Sequence, residues 1–157
     1  MIQPRLEPVV AWGPAPVPPP LPKGRLLVLD IQDPGNLGTL IRSARGLGVE
    51  GVALLPRCPD LYNPRVLRAS AGTLFGYPVG AWTESLLKDR TLFVAEAHGG
   101  NPVPSPPPQE WLLVLGHETT GTSPLFLGRG VSLTLTLTGV ESLGVAAAGA
   151  VLMDRLT

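Results

Sequence analysis

The chain has 157 residues, of which 44% are hydrophobic and 15% charged, and its formal net charge is zero. This length and apolar content are typical of one globular domain with a real core, and they exclude a solvated polyelectrolyte. The balanced charge argues against a strong charge-driven nucleic-acid binder, although residues 23–68 carry seven basic side chains against four acidic ones.

Cysteine, targeting and membrane signals all favour a cytoplasmic protein without metal. The single cysteine, Cys58, has no partner for an internal disulfide, and the His and Cys residues lack the spacing of a metal site. The N-terminus lacks a secretion signal pattern, and no run of about 18 apolar residues predicts a membrane span.

Proline marks two segments of the chain. Eight of the 19 prolines lie within residues 4–22 and five more within residues 102–108. Proline lacks the amide N–H and has a restricted φ, so residues 1–24 predict an extended arm or linker before a domain at residues 25–157.

Short apolar runs alternate with helical patterns through the rest of the chain. The predicted strands are 25–30, 51–56, 77–82, 91–97, 111–116 and 131–138, and the predicted helices are 36–47, 63–70, 83–88 and 141–156. Asn63 followed by Pro64 is a typical helix start. The alternation predicts an α/β fold with a mostly parallel sheet and helices on both faces.

The stretch QDPGNLGTLIRSARGLGV, residues 32–49, is the first candidate site. It matches neither the dinucleotide fingerprint nor the phosphate loop. Asn36 lies at the predicted helix start, where its side chain could cap the helix or reach a ligand. Gly38, Arg42 and Arg45 share one side of that helix, where a small residue below an arginine leaves room for an anion. The alternative is an ordinary solvated face.

Two later stretches are also candidates. In LVLGHETTGTSP, residues 113–124, Glu118 is an acid/base group, an arginine partner or a plain loop charge, and His117 is interpreted as a surface residue. His98 has less support as a functional group. In TLTGVESLGVAAAGAVLMD, residues 136–154, the small residues predict a helix that packs very closely against a neighbour.

Taken together and in this order, the three motifs resemble the SpoU (TrmH-like) family of RNA 2′-O-ribose methyltransferases, of the SPOUT superfamily. They are D-P-x-N-x-G-T-x-x-R-x-A after the first strand, L-V-L-G-x-E-x-x-G after a late strand, and G-V-E-S-L-x-V-x-x-A at the last helix. Residues 63–79 are also similar to the segment after the family's second strand. The resemblance covers residues 25–157.

The resemblance implies a fold, a cofactor and partners. The family's C-terminal segment forms a deep trefoil knot that binds S-adenosylmethionine, and its members are homodimers that act on tRNA or rRNA. The small residues of the last helix would then suit a close dimer contact. Most implied cofactor residues act through their backbone, since they are apolar or glycine; they are Leu115, Gly116, Leu135, Leu137, Gly139, Leu143 and Gly144.

The resemblance also implies roles for polar side chains. The catalytic set is Asn36, Arg42, Glu118 and Ser142, and the RNA-binding set is Arg42, Arg45, Arg65 and Arg68. A guanidinium stays protonated in proteins, so we interpret Arg42 mainly as a group that holds phosphate and stabilises the developing alkoxide. The family's alternative is a general base assisted by the RNA phosphate.

Three positions depart from the family pattern. Gly144 replaces an active-site asparagine, Ala146 replaces a serine, and Thr136 replaces a proline. The loss of polar side chains beside the methyl donor favours an alternative reading, a catalytically degenerate knot protein that binds S-adenosylmethionine or RNA without efficient methyl transfer. The motif residues Asn36, Arg42 and Glu118 favour the enzyme.

Overall fold

The computed structural model describes residue 14 and residues 16–117 and 121–157. In this part of the chain, strands and α-helices alternate through the first half and a single long helix ends the chain. The elements in order are β1 (Leu26–Leu29), α1 (Pro34–Gly46), β2 (Gly51–Leu54), α2 (Pro64–Ser70), β3 (Val79–Ala81), β4 (Thr91–Ala95), β5 (Trp111–Leu115), β6 (Val131–Leu133) and α3 (Val145–Leu156). Two 3₁₀ segments, Glu84–Leu87 and Pro124–Phe126, precede β4 and β6.

The strands form one six-stranded sheet in the order β3-β2-β1-β5-β4-β6. Every neighbouring pair is parallel, which confirms the mostly parallel α/β sheet. The order reverses direction beside β1, whose partners on its two sides are β2 and β5. In open sheets of this kind, ligands bind beyond the carboxyl ends of the strands near such a reversal.

The two faces of the sheet are covered differently. Leu27 and Leu29 of β1 join a core cluster with α1, α2 and α3, whereas Leu26 and Val28 join a second cluster without an α-helix. The second face is covered by the two 3₁₀ segments and by Leu21. The prediction of helices on both faces is therefore right only if 3₁₀ turns are counted. The connections from β1 to β2 and from β2 to β3 both move one strand along the sheet in the same direction. Because such crossovers are right-handed, α1 and α2 lie on the same face of the sheet.

The last third of the chain differs most from the prediction. The strand predicted over 131–138 ends at Leu133, because its neighbour β4 ends at Ala95, the residue paired with Leu133. The last helix begins at Val145, four residues later than predicted, after Gly144 with φ of 74° and ψ of 150°. Residues 134–144 are consequently irregular and free to line a site.

Helix α1 begins with a side-chain cap. Asp33 is the N-cap, and its carboxylate accepts a hydrogen bond of 2.7 Å from the backbone N–H of Asn36. Of the two roles left open for Asn36, that of helix cap is therefore excluded, because the helix starts two residues earlier, at Pro34. The cap at Asn63 is confirmed: its side chain accepts from the backbone N–H of Arg65.

Gly38 lets α1 and α2 cross at very short distance. A Cβ atom built at Gly38 would lie 2.5 Å from the carbonyl oxygen of Val66 and 2.9 Å from the backbone nitrogen of Ser70. The space that we expected Gly38 to leave for an anion is therefore occupied by α2. The glycine serves helix packing.

Part of the proline-rich segment lies against the domain. The hydroxyl of Tyr62 donates to the carbonyl oxygen of Pro16. The guanidinium of Arg90 donates to the carbonyl oxygens of Gly24 at 2.9 Å and Pro22 at 3.1 Å. The hydrophobic side chain of Leu21 packs on the second face of the sheet. Within residues 16–24, Leu21 therefore covers part of a face that has no α-helix.

We expect Gly38→Ala to lower the free energy of unfolding by about 1–3 kcal/mol, because the added methyl overpacks the crossing with α2. Gly46→Ala is the matched control in the same helix, since a Cβ there meets no atom within 4 Å. It should be neutral or stabilising by up to about 1 kcal/mol. Urea unfolding measures both, and equal effects of the two variants would contradict the packing role of Gly38.

Candidate functional site at the carboxyl edge of the sheet

A cavity of about 250 Å³ opens beyond the carboxyl ends of β4, β5 and β6. Its walls come from the residues that follow each of these strands and from the first turns of α3. The lining residues are Ala95, Glu96, Ala97, Leu115, Gly116, His117, Gly121, Thr122, Leu135, Leu137, Glu141, Ser142, Leu143, Gly144, Val145, Ala148 and Leu152. This is where a parallel sheet places its ligand site.

The cavity wall is mainly aliphatic, with a few polar groups. Glu96, Glu141 and His117 are the ionisable side chains among the described lining residues. Two carboxylates at an apolar wall favour a ligand that combines a cationic group with an apolar ring or chain.

Gly116, His117 and Gly121 shape one wall of the cavity. The backbone N–H of His117 donates to the carbonyl oxygen of Gly121 at 3.0 Å, and the N–H of Gly121 donates back to the carbonyl oxygen of His117 at 2.9 Å. A Cβ atom at Gly116 would lie 2.4 Å from the carbonyl oxygen of Gly121. Only glycine at position 116 therefore allows Gly121 to lie this close to the end of β5.

The structure brings together most of the residues that the resemblance implied for the cofactor. Six of them line the cavity, namely Leu115, Gly116, Leu135, Leu137, Leu143 and Gly144, and Ser142 lines it too. Gly139, which is exposed with φ of 79°, is not among the lining residues. Glu118 lies outside the described residues.

Three lining residues were not expected from the sequence: Ala95, which ends β4, and Glu96 and Ala97, which follow it. The backbone N–H of Glu96 donates to the carbonyl oxygen of Leu133 at 2.8 Å, which ties this segment to the end of β6. The sequence did carry a signal for these residues, namely the strand β4. In a parallel sheet its carboxyl end lies at the same edge as that of β5.

His117, interpreted from the sequence as a surface residue rather than a catalyst, is half-buried and lines the cavity. Its Nε2 atom lies 3.1 Å from Oε1 of Gln32, in the loop after β1. That loop leads directly into α1, which carries Asn36 and Arg42.

An ion pair between a buried carboxylate and a half-exposed guanidinium anchors the same loop. Asp30 is fully buried, and Arg57 donates to its carboxylate through Nη2 at 2.5 Å and Nε at 3.2 Å. The carboxylate raises the pKa of Arg57 through this hydrogen bond and its charge. Beside it, Cys58 donates to the carbonyl oxygen of Leu29, and burial raises the pKa of its thiol. A raised pKa keeps the thiol protonated and unreactive.

The four arginines expected to bind RNA are exposed on α1 and α2, but they differ in their contacts. Arg45 donates to the carbonyl oxygen of Thr73 at 3.2 Å and lies 6.0 Å from the centre of the Tyr77 ring. Arg65 lies 3.6 Å from the carboxylate of Asp33. Arg42 and Arg68 make no ion pair with any described residue.

Two further properties concern the described residues as a whole. Every helix among them is too short or too polar to span a bilayer. They contain no group of three or more His, Cys, Asp or Glu side chains placed to hold a metal ion.

Fold and site together define an α/β protein with a parallel sheet and a cavity at the carboxyl edge of that sheet. Residues 24–154 match the model of the SpoU rRNA Methylase family. The chain belongs to this family. The resemblance in the three sequence motifs is confirmed.

Relatives and solved structures agree with this family. The chain is 34% identical over 140 residues to the 23S rRNA (guanosine(2553)-2′-O)-methyltransferase RlmP of Bacillus subtilis, covering 83% of this chain and 56% of the relative. A crystal structure of an RNA 2′-O ribose methyltransferase superposes with a TM-score of 0.74 at 26% identity, covering 88% of this chain and 57% of that one.

The SpoU methyltransferase AviRb of Streptomyces viridochromogenes, crystallised with AdoMet, has a TM-score of 0.73 at 24% identity, and the match covers 87% of this chain and 58% of that one. The chain thus spans a little over half the length of these proteins.

We expect Gly144→Asn, which restores the family's side chain, to destabilise the protein by about 1–3 kcal/mol. A steric clash is not the reason for this expected loss of stability, since a Cβ atom at position 144 would meet no atom within 4 Å. The φ of 74° with ψ of 150° lies in a region that only glycine adopts easily. Ala146→Ser, in the first turn of α3, is the matched control and should stay within about 0.5 kcal/mol of the parent. Thermal unfolding compares them, and an unaffected Gly144→Asn variant would contradict the backbone argument.

Proposed function

We propose that this protein is an RNA methyltransferase that moves a methyl group from S-adenosylmethionine to a ribose 2′-hydroxyl of tRNA or rRNA. The observation that carries the proposal is the cavity at the carboxyl edge of the sheet. In a chain of the SpoU family, it is lined by six of the residues that the family motifs implied for the cofactor.

The residues of the cavity fit S-adenosylmethionine. Leu135, Leu137 and Leu152 offer an apolar surface for an adenine ring, and the backbone at Leu115 and Gly116 offers hydrogen-bonding groups. Glu96 and Glu141 suit the positive charges of the ammonium and sulfonium groups. When bound, the cofactor supplies an electrophilic methyl group and leaves as a neutral thioether. The match to AviRb supports only the fold. The proposal that this chain binds S-adenosylmethionine therefore rests on the residues that line the cavity.

The exposed guanidinium of Arg42 is proposed to hold the RNA phosphate and to stabilise charge on the attacking oxygen. A 2′-hydroxyl is a weak nucleophile, and as the new C–O bond forms its proton passes to a base, for which the RNA phosphate held by Arg42 and bulk water are available. Asn36 and Glu118 are proposed to orient the ribose, and Ser142 to act from the cavity wall. Because the 2′-hydroxyl distinguishes RNA from DNA, RNA is the substrate.

The RNA surface is proposed to be the exposed side of α1 and α2, with Arg42, Arg45, Arg65 and Arg68. Arg42 and Arg68 are the best placed of these, because Arg45 and Arg65 also contact groups of the protein itself. The zero net charge predicts weak binding that depends on salt.

A binding protein without efficient methyl transfer is the second candidate. Gly144 favours it, because this position lines the cavity yet presents no side chain to a bound methyl donor. Two further departures from the family pattern also favour the binding protein: Thr136 replaces a proline and Ala146 replaces a serine. Cofactor binding without transfer to any RNA would establish this reading.

The remaining proposals concern architecture. We propose that residues 1–24 are an arm on a catalytic domain of residues 25–157, and that the domain forms a cytoplasmic homodimer. Residues 134–144 return to line the cavity before α3 packs on α1 and β5, which supports a C-terminal trefoil knot.

Ala148→Phe should weaken S-adenosylmethionine binding at least about tenfold, because Ala148 lines the cavity and the larger ring occupies its space. Ala81→Phe makes the same chemical change at an exposed residue of β3 and should leave binding unchanged. Isothermal titration calorimetry with S-adenosylmethionine measures both. Equal affinity of the two variants would place the cofactor elsewhere.

Arg42→Ala should reduce methyl transfer by about 10²–10³-fold, the typical cost of removing one group that stabilises developing charge. Cofactor affinity should not change, since Arg42 is not among the lining residues. The assay uses labelled S-adenosylmethionine with unmodified total tRNA and rRNA, followed by mapping of methylated riboses.

Arg155→Ala, an exposed arginine in the last turn of α3, is the control and should be fully active. Full activity of Arg42→Ala would refute its catalytic role.

A further inference from the structure

One side-chain contact joins the two halves of the candidate site. Nε2 of His117 lies 3.1 Å from Oε1 of Gln32. His117 is a wall residue of the cavity, and Gln32 belongs to the loop between β1 and α1. The contact therefore spans from the cofactor side of the site to the helix that carries Asn36 and Arg42.

Both partners extend from backbone that is already held in place. The backbone of His117 exchanges two hydrogen bonds with Gly121, at 3.0 and 2.9 Å. Gln32 lies between Asp30, which is buried against Arg57, and Asp33, which caps α1. Each segment is anchored by its own contacts. The hydrogen bond between Gln32 and His117 therefore adds a direct constraint on the distance between the two segments.

The contact couples the imidazole tautomer to the orientation of the Gln32 amide. With Oε1 of Gln32 facing the ring, Nε2–H of His117 donates to it, whereas with the amide turned over, the Gln32 N–H donates to an unprotonated Nε2. This is a property of the folded protein that can be observed without any substrate.

We propose that His117 and Gln32 are positioning residues that hold the start of α1, and with it Asn36 and Arg42, in register with the cavity. The catalytic consequence rests on the proposed function. Methyl transfer needs the ribose oxygen aligned with the donor, and a misplacement of about 1 Å can cost a large part of the rate. Neither residue has to touch the reacting atoms for this effect.

The two residues differ in a way that makes the proposal testable. Gln32 is exposed and does not line the cavity, whereas His117 does. Gln32→Ala therefore removes the hydrogen bond and leaves the cavity wall intact. Gln109→Ala is the matched control, since Gln109 is an exposed glutamine of the loop before β5.

The first experiment is nitrogen-15 NMR of the imidazole rings. The chain has two histidines, so a His98→Asn variant assigns the signals of His117. We expect the Nε2 signal of His117 to shift in Gln32→Ala and to stay unchanged in Gln109→Ala. A signal indifferent to Gln32→Ala would overturn the proposal.

The second experiment is steady-state methyl transfer. Gln32→Ala should lower kcat by about three- to tenfold, the loss expected for one neutral hydrogen bond. The KM for S-adenosylmethionine should stay within about twofold, since no cofactor contact is removed. Gln32→Glu keeps an acceptor oxygen and should restore most of the rate. Combining Gln32→Ala with His117→Phe should add no loss beyond that of His117→Phe alone.

The outcomes separate this proposal from the function on which it rests. A parent protein that transfers no methyl group refutes the proposed function, while the NMR result still decides whether the contact exists. An active parent with an unchanged kcat in Gln32→Ala refutes the positioning role alone.

Discussion

The ion pair between Asp30 and Arg57 is the interaction on which the candidate site depends. A fully buried carboxylate is unfavourable unless it is paired and hydrogen-bonded, and Arg57 provides two hydrogen bonds from the loop after β2. The backbone N–H of Asp30 also donates to the carbonyl oxygen of Leu115 at the end of β5. One residue thus joins the carboxyl ends of three adjacent strands, β2, β1 and β5. The loop that continues from it through Gln32 and Asp33 therefore starts α1 from a fixed position.

Close packing between the helices holds α1 in place along its length, beyond its fixed start at the sheet. Gly38 brings α1 against α2, and a Cβ atom at Gly149 of α3 would lie 2.7 Å from the side chain of Leu40 and 2.5 Å from that of Leu115. Helix α1 is therefore packed between two helices, against the backbone of α2 at Gly38 and against α3 at Gly149. The small residues of α3, which the family resemblance assigned to a dimer contact, include at least one glycine that packs within the chain. The beginning of α3 lines the cavity, so its packing against α1 and β5 contributes to the shape of that cavity.

The site divides into an apolar cavity and a basic surface. The cavity offers backbone groups, leucines and two carboxylates, whereas the exposed arginines lie on α1 and α2. Such a division suits a reaction between a small cationic donor and a large polyanion, since each ligand meets the opposite charge. Gly144 lies at the cavity wall, where its positive φ lets the chain turn into α3. The enzyme and the binding-protein readings differ chiefly at this residue.

Local patterns in the sequence determined much of this architecture. The start of α2 at Asn63 and Pro64, the buried strands and the parallel α/β class follow from signals within a few residues. The order of three motifs indicated the family as well as the residues Leu115, Leu135 and Ser142 of the cavity.

Only the tertiary structure decided where β6 ends, because that depends on the length of its neighbour β4. It also brought Gln32 and His117, 85 residues apart, within hydrogen-bonding distance. Sequence periodicity reports which face of an element is buried, whereas contacts between strand ends depend on how distant segments pack.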